Sequence, residues 1–286
     1  MLLEGNLQGV QHLGIPVVDI EACKSWYAEK LGFEVVHEPA ISTDEGEIKI
    51  AFLVRDGLTL EFYQLVGDAL DEVRARKHGH IDHFALDVVD IDAALEAALD
   101  AGAVMDEATP DGPAGIPQFW SQGVKYIFLK GPGGEKVELN QRLDLDPGRR
   151  TENLGGWSHL GVPVTDIDRS REFYSQFGFE EVMYAEIPVE DQAIKASMMD
   201  KGGFVLEFYQ LLGDDLAEIG TRQDGFIDHI AFDVLDADKA FQEVSAAGLE
   251  PLEESPVPLP FWDKGVKYFN VRGPDGEKVE FNERIK

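Results

Sequence analysis

The segment Leu60-Glu-Phe-Tyr-Gln-Leu65 recurs without a change as Leu206-Glu-Phe-Tyr-Gln-Leu211. Three other segments also return in the same order: His12-Leu-Gly-Ile-Pro-Val17 as His159-Leu-Gly-Val-Pro-Val164, Ile81-Asp-His83 as Ile227-Asp-His229, and Gly131-Pro-Gly-Gly-Glu-Lys-Val-Glu138 as Gly273-Pro-Asp-Gly-Glu-Lys-Val-Glu280. Self-similarity over this length indicates two copies of one structural unit. The repeat therefore decides the fold, and each copy is interpreted alongside the other.

The chain has 286 residues, which is enough for about two domains that each bury a core. Between the copies runs Asp144-Leu-Asp-Pro-Gly-Arg-Arg-Thr-Glu-Asn-Leu-Gly-Gly156, a stretch rich in turn formers and charge. Such composition is typical of an exposed linker. We expect a first domain over 1–143, a linker over 144–156 and a second domain over 157–286.

Composition argues against several classes of partner. The formal net charge is −30, and contacts with nucleic acid or anionic lipid are built from Lys and Arg. No apolar run reaches the length of about 18 residues that a membrane span needs, and the first residues lack the pattern of a signal peptide. We expect a cytosolic protein, monomeric or homodimeric, with a small-molecule substrate and no nucleic-acid or membrane partner.

Four residue types occur in the same order in both copies and form a candidate ligand set for a divalent metal. Imidazoles and carboxylates together suit first-row divalent ions. Because each residue lies inside a repeated segment, the set predicts two metal sites and, through them, an enzyme. The candidate ligands are His12, Glu61, His83 and Glu138 in the first copy, and His159, Glu207, His229 and Glu280 in the second.

Each copy is predicted to contain two βαβββ modules, so the whole chain contains four. Apolar residues spaced for a helix follow Asp19, which is placed to cap it, and Gly32 is placed to end it. A second helix is predicted over Asp92–Ala101, closed by Gly102. The second copy repeats the pattern, with Asp166 as a helix cap and Gly178 and Gly248 as helix stops.

Strand alternation predicts that the candidate ligands share one face of the sheets. On Leu58–Gln64, Leu60 and Phe62 point one way while Glu61 points the other. The same alternation separates His83 from its apolar neighbours and leaves room beside Gly14 and Ala85. We therefore expect an α+β fold of curved mixed sheets with helices outside and two metal-containing cups.

These motifs resemble the vicinal oxygen chelate superfamily, and specifically its glyoxalase I branch, across almost the whole chain outside the linker. The resemblance implies a metal-dependent lyase or isomerase that removes a proton next to a carbonyl, through a metal-stabilised enediolate or enolate. The last-strand glutamates, Glu138 and Glu280, would then act as bases. Glu61 and Glu207 would be ligands or alternative bases.

The chain departs from glyoxalase I where that family recognises glutathione. Pro16 and Pro163 stand at the Arg positions of the family pattern, and Leu65 and Leu211 stand at its Asn positions. Glutathione is therefore not expected as a substrate component, and an epimerase of the same superfamily is an alternative. Methylmalonyl-CoA epimerases, however, usually carry Gln at the positions of Glu61 and Glu207.

The sequence leaves open the function class, the metal, the grouping of the ligands and the position of two tryptophans. An extradiol dioxygenase or a metal-free binding protein of the bleomycin-resistance type are the alternative function classes. The ligand set accepts nickel, cobalt, zinc or manganese, with iron less favoured. Each site could form within one copy or by exchange between copies. Trp120 and Trp262, at equivalent places in the copies, line the cavity mouth or pack in the core.

Overall fold

The computed structural model describes all residues, 1–286, as two large sheets with six α-helices. The strands are β1 (Leu7–Pro16), β2 (Glu34–His37), β3 (Ala40–Thr43), β4 (Gly46–Arg55), β5 (Leu58–Gln64), β6 (His83–Val88), β7 (Ala114–Ile116), β8 (Val124–Lys130), β9 (Lys136–Arg142), β10 (Leu154–Pro163), β11 (Glu180–Val189), β12 (Gln192–Lys201), β13 (Phe204–Gln210), β14 (His229–Val234), β15 (Val257–Leu259), β16 (Val266–Arg272) and β17 (Lys278–Arg284). The helices are α1 (Ile20–Leu31), α2 (Gly67–Ala75), α3 (Ile91–Asp100), α4 (Ile167–Ser175), α5 (Gly213–Ile219) and α6 (Ala237–Ala246).

Each sheet draws strands from both copies of the repeat. The first sheet has the order β15-β16-β17-β14-β1-β5-β4-β2, with β3 paired to β4. The second has the order β11-β12-β13-β10-β6-β9-β8-β7. The copies meet in each sheet through one antiparallel pair, β1 with β14 and β10 with β6. Each sheet is therefore built from one module of each copy, so the modules are exchanged between the copies.

The helices lie on the convex faces, as expected, and one core joins both sheets. That core contains 48 buried residues drawn from both copies. The ring of Tyr27, on α1, lies 6.3 Å from the ring of Phe84, on the second sheet. Phe84 and Leu86 face this core while His83 faces the opposite side, which confirms the predicted α+β fold and the strand alternation.

The predicted helix caps are confirmed in most details. Asp19 accepts a hydrogen bond from the backbone of Ala22, and Asp166 caps α4 in the same way. The helix expected over Asp92–Ala101 begins one residue earlier, at Ile91, because Asp90 is the residue that caps it. Helices α2 and α5, each after a cup-lining strand, were not predicted. No helix is long and apolar enough to cross a membrane.

The segment 144–156 contains a 3-10 turn over Pro147–Arg149 and the first residues of β10. Its arginines are tied to the second sheet, since Arg149 Nη2 lies 2.9 Å from a carboxylate oxygen of Asp87. Arg150 donates to the same carboxylate. The division at 144–156 thus separates the copies along the sequence, whereas the sheets and the core are shared between them.

Candidate metal centres

The eight predicted ligands converge in two groups of four, one on the concave face of each sheet. We call these faces cup 1 and cup 2. All eight side chains are buried. Each cup takes one histidine and one glutamate from each copy. Cup 1 holds His12, Glu61, His229 and Glu280, and cup 2 holds His83, Glu138, His159 and Glu207.

In cup 1 the two imidazoles point their Nε2 atoms at one another, 3.3 Å apart. Glu61 Oε2 lies 3.0 Å from His12 Nε2 and 3.7 Å from His229 Nε2. Glu280 completes the group, with its oxygens 3.6 Å from His12 Nε2 and 3.7 Å from His229 Nε2. Each copy alone supplies only half of this group.

Cup 2 repeats the arrangement closely. The Nε2 atoms of His83 and His159 are again 3.3 Å apart. Glu138 Oε2 lies 3.2 Å from His83 Nε2, and Glu207 Oε2 lies 3.2 Å from His159 Nε2. Two sets of side chains from different parts of the sequence therefore reach the same geometry.

Strand register brings the four residues of cup 1 together. Gly14 lies opposite His229 on β14 and beside Glu61 on β5. A Cβ added to Gly14 would lie 1.9 Å from Cε1 of His229, so only glycine leaves space for that ring. Gly161 does the same for His83 in cup 2, at 2.0 Å. The predicted role of Gly14 in making room is confirmed.

One histidine in each cup is oriented by an aspartate at its other ring nitrogen. Nδ1 of His229 lies 3.0 Å from Asp228, and Nδ1 of His83 lies 3.2 Å from Asp82. An ionised carboxylate can only accept, so each of these Nδ1 atoms carries a hydrogen and Nε2 is the atom left to bind a metal. Carboxylate partners of this kind are the usual outer support of metal-bound histidine.

The supporting aspartates are themselves held by cations from the other copy. Arg76 Nη1 lies 2.7 Å from Asp228, and Arg222 Nη1 lies 3.1 Å from Asp82. Lys278 and Lys136, each from the same copy as its aspartate, add a second cation to Asp228 and Asp82. Burial opposes ionisation of both aspartates, but hydrogen bonds from the histidines and these cations hold their pKa values well below the usual range.

Positive charge between the histidines and glutamates of each cup stabilises them. Burial disfavours the charged form of His229, yet Glu280, Asp228 and Glu61 raise its pKa to about 10. Burial likewise opposes ionisation of Glu61, but His12 and His229 lower its pKa to about 2. Lone pairs and carboxylates crowded together in this way are stabilised either by protons or by a cation.

The spacing of the donors fits a divalent ion. Ligands about 2.1 Å from a shared ion lie about 3.0–3.4 Å from each other. The nitrogen–nitrogen distance of 3.3 Å in each cup falls in this range, and the nitrogen–oxygen distances run from 3.0 Å to 3.7 Å. Each cup therefore contains a candidate metal-binding group, formed by His12, Glu61 and His229 in cup 1 and by His83, His159 and Glu207 in cup 2, with Glu280 and Glu138 beside them.

The chain matches the family described as the Glyoxalase/Bleomycin resistance protein/Dioxygenase superfamily over residues 9–139 and 156–281. These two ranges cover both copies of the repeat. The chain belongs to this superfamily. The resemblance inferred from the repeated motifs is confirmed.

Comparison with solved structures and curated proteins adds detail within the superfamily. Glyoxalase I from Zea mays aligns with a TM-score of 0.72 and 20% identity, covering 98% of this chain and 94% of the maize chain. The uncharacterised protein YwbC of Bacillus subtilis (strain 168) is 32% identical over 136 residues, which are 46% of this chain and 97% of YwbC. The fold of this chain is therefore similar to that of the maize protein over almost the whole of both chains.

The two cups of this superfamily member differ in their linings. A cavity of about 470 Å³ opens onto cup 1 and one of about 360 Å³ onto cup 2. Asn270 lines the first, whereas Phe128 occupies the equivalent place in the second. Leu65 lines the first cavity and Leu211 lines the second.

Sequence reasoning did not assign the residues that support the ligands. Asp82 and Asp228 stood within the repeated Ile-Asp-His segments, and Arg76 and Arg222 recur at matching places in the copies. Because these four residues recur at matching places, the repeat itself indicated that they matter. Their role depends on exchange between the copies, which the sequence left open.

Proposed function

We propose that the protein is a divalent-metal-dependent lyase or isomerase that removes a proton next to a carbonyl in a small substrate. The observation that carries this is the double set of two imidazoles and two carboxylates converging on one point in each cup. A divalent ion held there, whether nickel, cobalt, zinc or manganese, would stabilise the negative charge of an enolate or enediolate. The glutamate side chains of each cup would carry out the proton transfer.

We assign the role of base to Glu280 and Glu138. Asn282 Nδ2 donates to Glu280 Oε1 at 2.8 Å, and Asn140 Nδ2 donates to Glu138 Oε1 at 2.7 Å. Each asparagine holds Oε1 of its glutamate, and the other oxygen, Oε2, faces one histidine, at 3.7 Å from His229 Nε2 in cup 1 and 3.2 Å from His83 Nε2 in cup 2. A carboxylate held in this way can take a proton from carbon and return it to the neighbouring atom, which is general base and acid catalysis.

The second carboxylate of each cup favours proton transfer over oxygen chemistry. A ring-cleaving dioxygenase uses two histidines and one carboxylate and keeps positions free for catechol and oxygen. Glu61 and Glu207 approach the histidines as closely as Glu280 and Glu138 do, at 3.0 Å and 3.2 Å. We therefore assign Glu61 and Glu207 as ligands or alternative bases.

The substrate we propose is not a glutathione adduct. Pro16, Pro163, Leu65 and Leu211 remove the Arg and Asn side chains that glyoxalase I would use. Because the chain carries a net charge of −30, we also propose that it has no nucleic-acid or membrane partners. We further propose that it acts in the cytosol, as a monomer or homodimer.

The test is solvent deuterium exchange into α-hydroxycarbonyls and acyl thioesters under anaerobic conditions, after the metal content has been measured. We expect exchange with at least one substrate. Glu138→Gln and Glu280→Gln should each remove the contribution of one cup, and the double variant should lower the rate by about 10²-fold or more. Exchange that persists in the double variant would assign the role of base to Glu61 and Glu207, whereas oxygen uptake with catechols in place of exchange would contradict the proposed function.

A further inference from the structure

The candidate metal centre of cup 1 lies between two cavities. Glu61, His229 and Glu280 line the cavity of about 470 Å³ already described. On the other side, His12 lines a larger cavity of about 690 Å³. Arg284 and Trp262 form part of its wall. One imidazole of the metal centre, that of His12, thus lines the cavity whose wall carries Arg284.

Arg284 has no acidic partner, although the chain contains 55 acidic and 25 basic residues. Its guanidinium group lies 3.7 Å above the ring of Trp262 and makes no hydrogen bond or ion pair with the protein. The two carboxylates that line the same cavity are already engaged. Asp233 accepts from Gln11 at 3.1 Å, and Glu283 accepts from the backbone of Ala237 at 2.9 Å.

Cup 2 provides an internal comparison. Arg142 is the counterpart of Arg284, and it lies 3.6 Å above Trp120 in the same stacked geometry. There, however, Asp144 binds the guanidinium through two hydrogen bonds of 3.1 Å and 2.8 Å. The residue two positions after Arg284 is Lys286. The same arginine is thus neutralised in cup 2 and free in cup 1, where a second cation follows it.

Trp262, whose ring lies beneath Arg284, has an unfavourable backbone conformation. Trp262 has φ = 60°, a left-handed value that bulky residues rarely adopt. His37 supports this conformation, because its Nε2 accepts from the Trp262 backbone N–H at 3.1 Å and its ring stacks on the indole at 4.1 Å. Such strain persists where the surroundings fix it, and here it presents the indole face to the guanidinium.

We propose that Arg284 anchors a carboxylate at the far end of a substrate whose carbonyl end lies at the metal centre of cup 1. This rests on the proposed function and narrows its substrate class to carbonyl compounds with an anionic arm. The planar fork of Arg matches a carboxylate through two hydrogen bonds. Glu280 and Arg284 are four residues apart on one face of β17, or about 13 Å along a strand, so the arm spans several bonds.

The experiment uses two hydroxamates of equal chain length, one ending in a carboxylate and the other in a carboxamide. A hydroxamate chelates a divalent ion through its two oxygens, so both probes report on the metal centre. Binding to nickel-loaded protein is measured by calorimetry, in a His159→Gln background that disables cup 2. We expect the carboxylate probe to bind about tenfold more tightly than the carboxamide. Raising the salt to about 0.5 M should shrink that preference.

Arg284→Gln should abolish the preference without weakening the carboxamide probe. Arg142→Gln, the matched control in the other cup, should leave the preference intact. Equal binding of the two probes to the nickel-loaded protein, or a preference that survives Arg284→Gln, overturns the anion site while leaving the metal proposal standing. Failure to bind nickel or either hydroxamate overturns the proposed function, and the anion site with it.

Discussion

Arg76 in the first copy lies 2.7 Å from Asp228 in the second, and Asp228 in turn contacts Nδ1 of the ligand His229. The pair is buried, with 10% of the Arg76 side chain and 3% of the Asp228 side chain exposed. A residue far from the metal centre in sequence thus orients a ligand of the other copy. The contact ties assembly of cup 1 to the pairing of the copies.

Asp228→Asn should weaken metal binding in cup 1 while leaving cup 2 unchanged. The amide can no longer hold Nδ1–H of His229 as a charged acceptor, and loss of such a partner typically costs about 10–100-fold in metal affinity. Metal titration followed by calorimetry should resolve one normal and one weakened site. Asp82→Asn is the matched variant for cup 2. Unchanged affinity at both sites in the double variant would contradict the role assigned to the aspartates.

Gly14→Ala should abolish the metal site of cup 1. The new Cβ would lie 1.9 Å from the His229 ring, so the ring must leave its position. Elemental analysis should then show one bound metal per chain instead of two. Gly161→Ala should do the same to cup 2, where the corresponding distance is 2.0 Å. Gly57→Ala, at a glycine whose Cβ would meet nothing within 4 Å, is a control for general loss of stability, since its positive φ, which Gly14 and Gly161 do not share, strains the backbone without displacing a ligand.

The shared face of the candidate ligands could be predicted from the sequence because the repeat and strand alternation are local properties. Strand alternation alone places Glu138 and Asn140 on one face of the sheet, and in the structure they are joined by a hydrogen bond of 2.7 Å. The pairing of modules could not be predicted in this way. It depends on whether β1 pairs with β6 or with β14, and both strands carry the same Asp-His pattern with apolar residues on the other face.

Two helices were not predicted because their sequences lack a clear local signal. Helices α2 and α5 are short, and neither has a side-chain hydrogen bond at its N-cap. Their sequences therefore lack the capping signal that identified α1 and α4. They matter for the site because Arg76 follows α2 and Arg222 follows α5, each reaching an aspartate of the other copy.

Separate halves of the chain should each lack a complete metal site. Cup 1 needs His12 and Glu61 from the first half and His229 and Glu280 from the second. We expect residues 1–143 and 157–286, expressed apart, to bind metal weakly, and a mixture of the two to recover two sites per pair. Metal content before and after mixing is the measurement. A half that binds one metal tightly as a monomer would argue against exchange of modules.

Two buried carboxyls in the shared core should make stability fall as the pH rises. Glu135 accepts a hydrogen bond of 2.6 Å from Tyr27, and Glu277 accepts one of 3.0 Å from Tyr174. Burial raises the pKa of each carboxyl from 4.5 to about 7, despite the hydrogen bonds that lower it. The folded protein therefore retains these protons between about pH 4.5 and 7, where the unfolded chain has lost them, so the free energy of unfolding decreases across that window.

Replacing either carboxyl by its amide should remove its share of this pH dependence. The interval from 4.5 to about 7 corresponds to roughly 3 kcal/mol per carboxyl, at about 1.4 kcal/mol per pH unit. Glu135→Gln and Glu277→Gln should match the wild type near about pH 4.5 and gain stability relative to it toward about pH 8, with the gains adding in the double variant. Tyr27→Phe should act in the opposite sense, because it removes a hydrogen bond that favours the ionised form of Glu135. Urea unfolding of these variants across the same pH range gives the comparison, and curves that stay parallel to the wild type would show that the two carboxyls are already ionised in the folded protein.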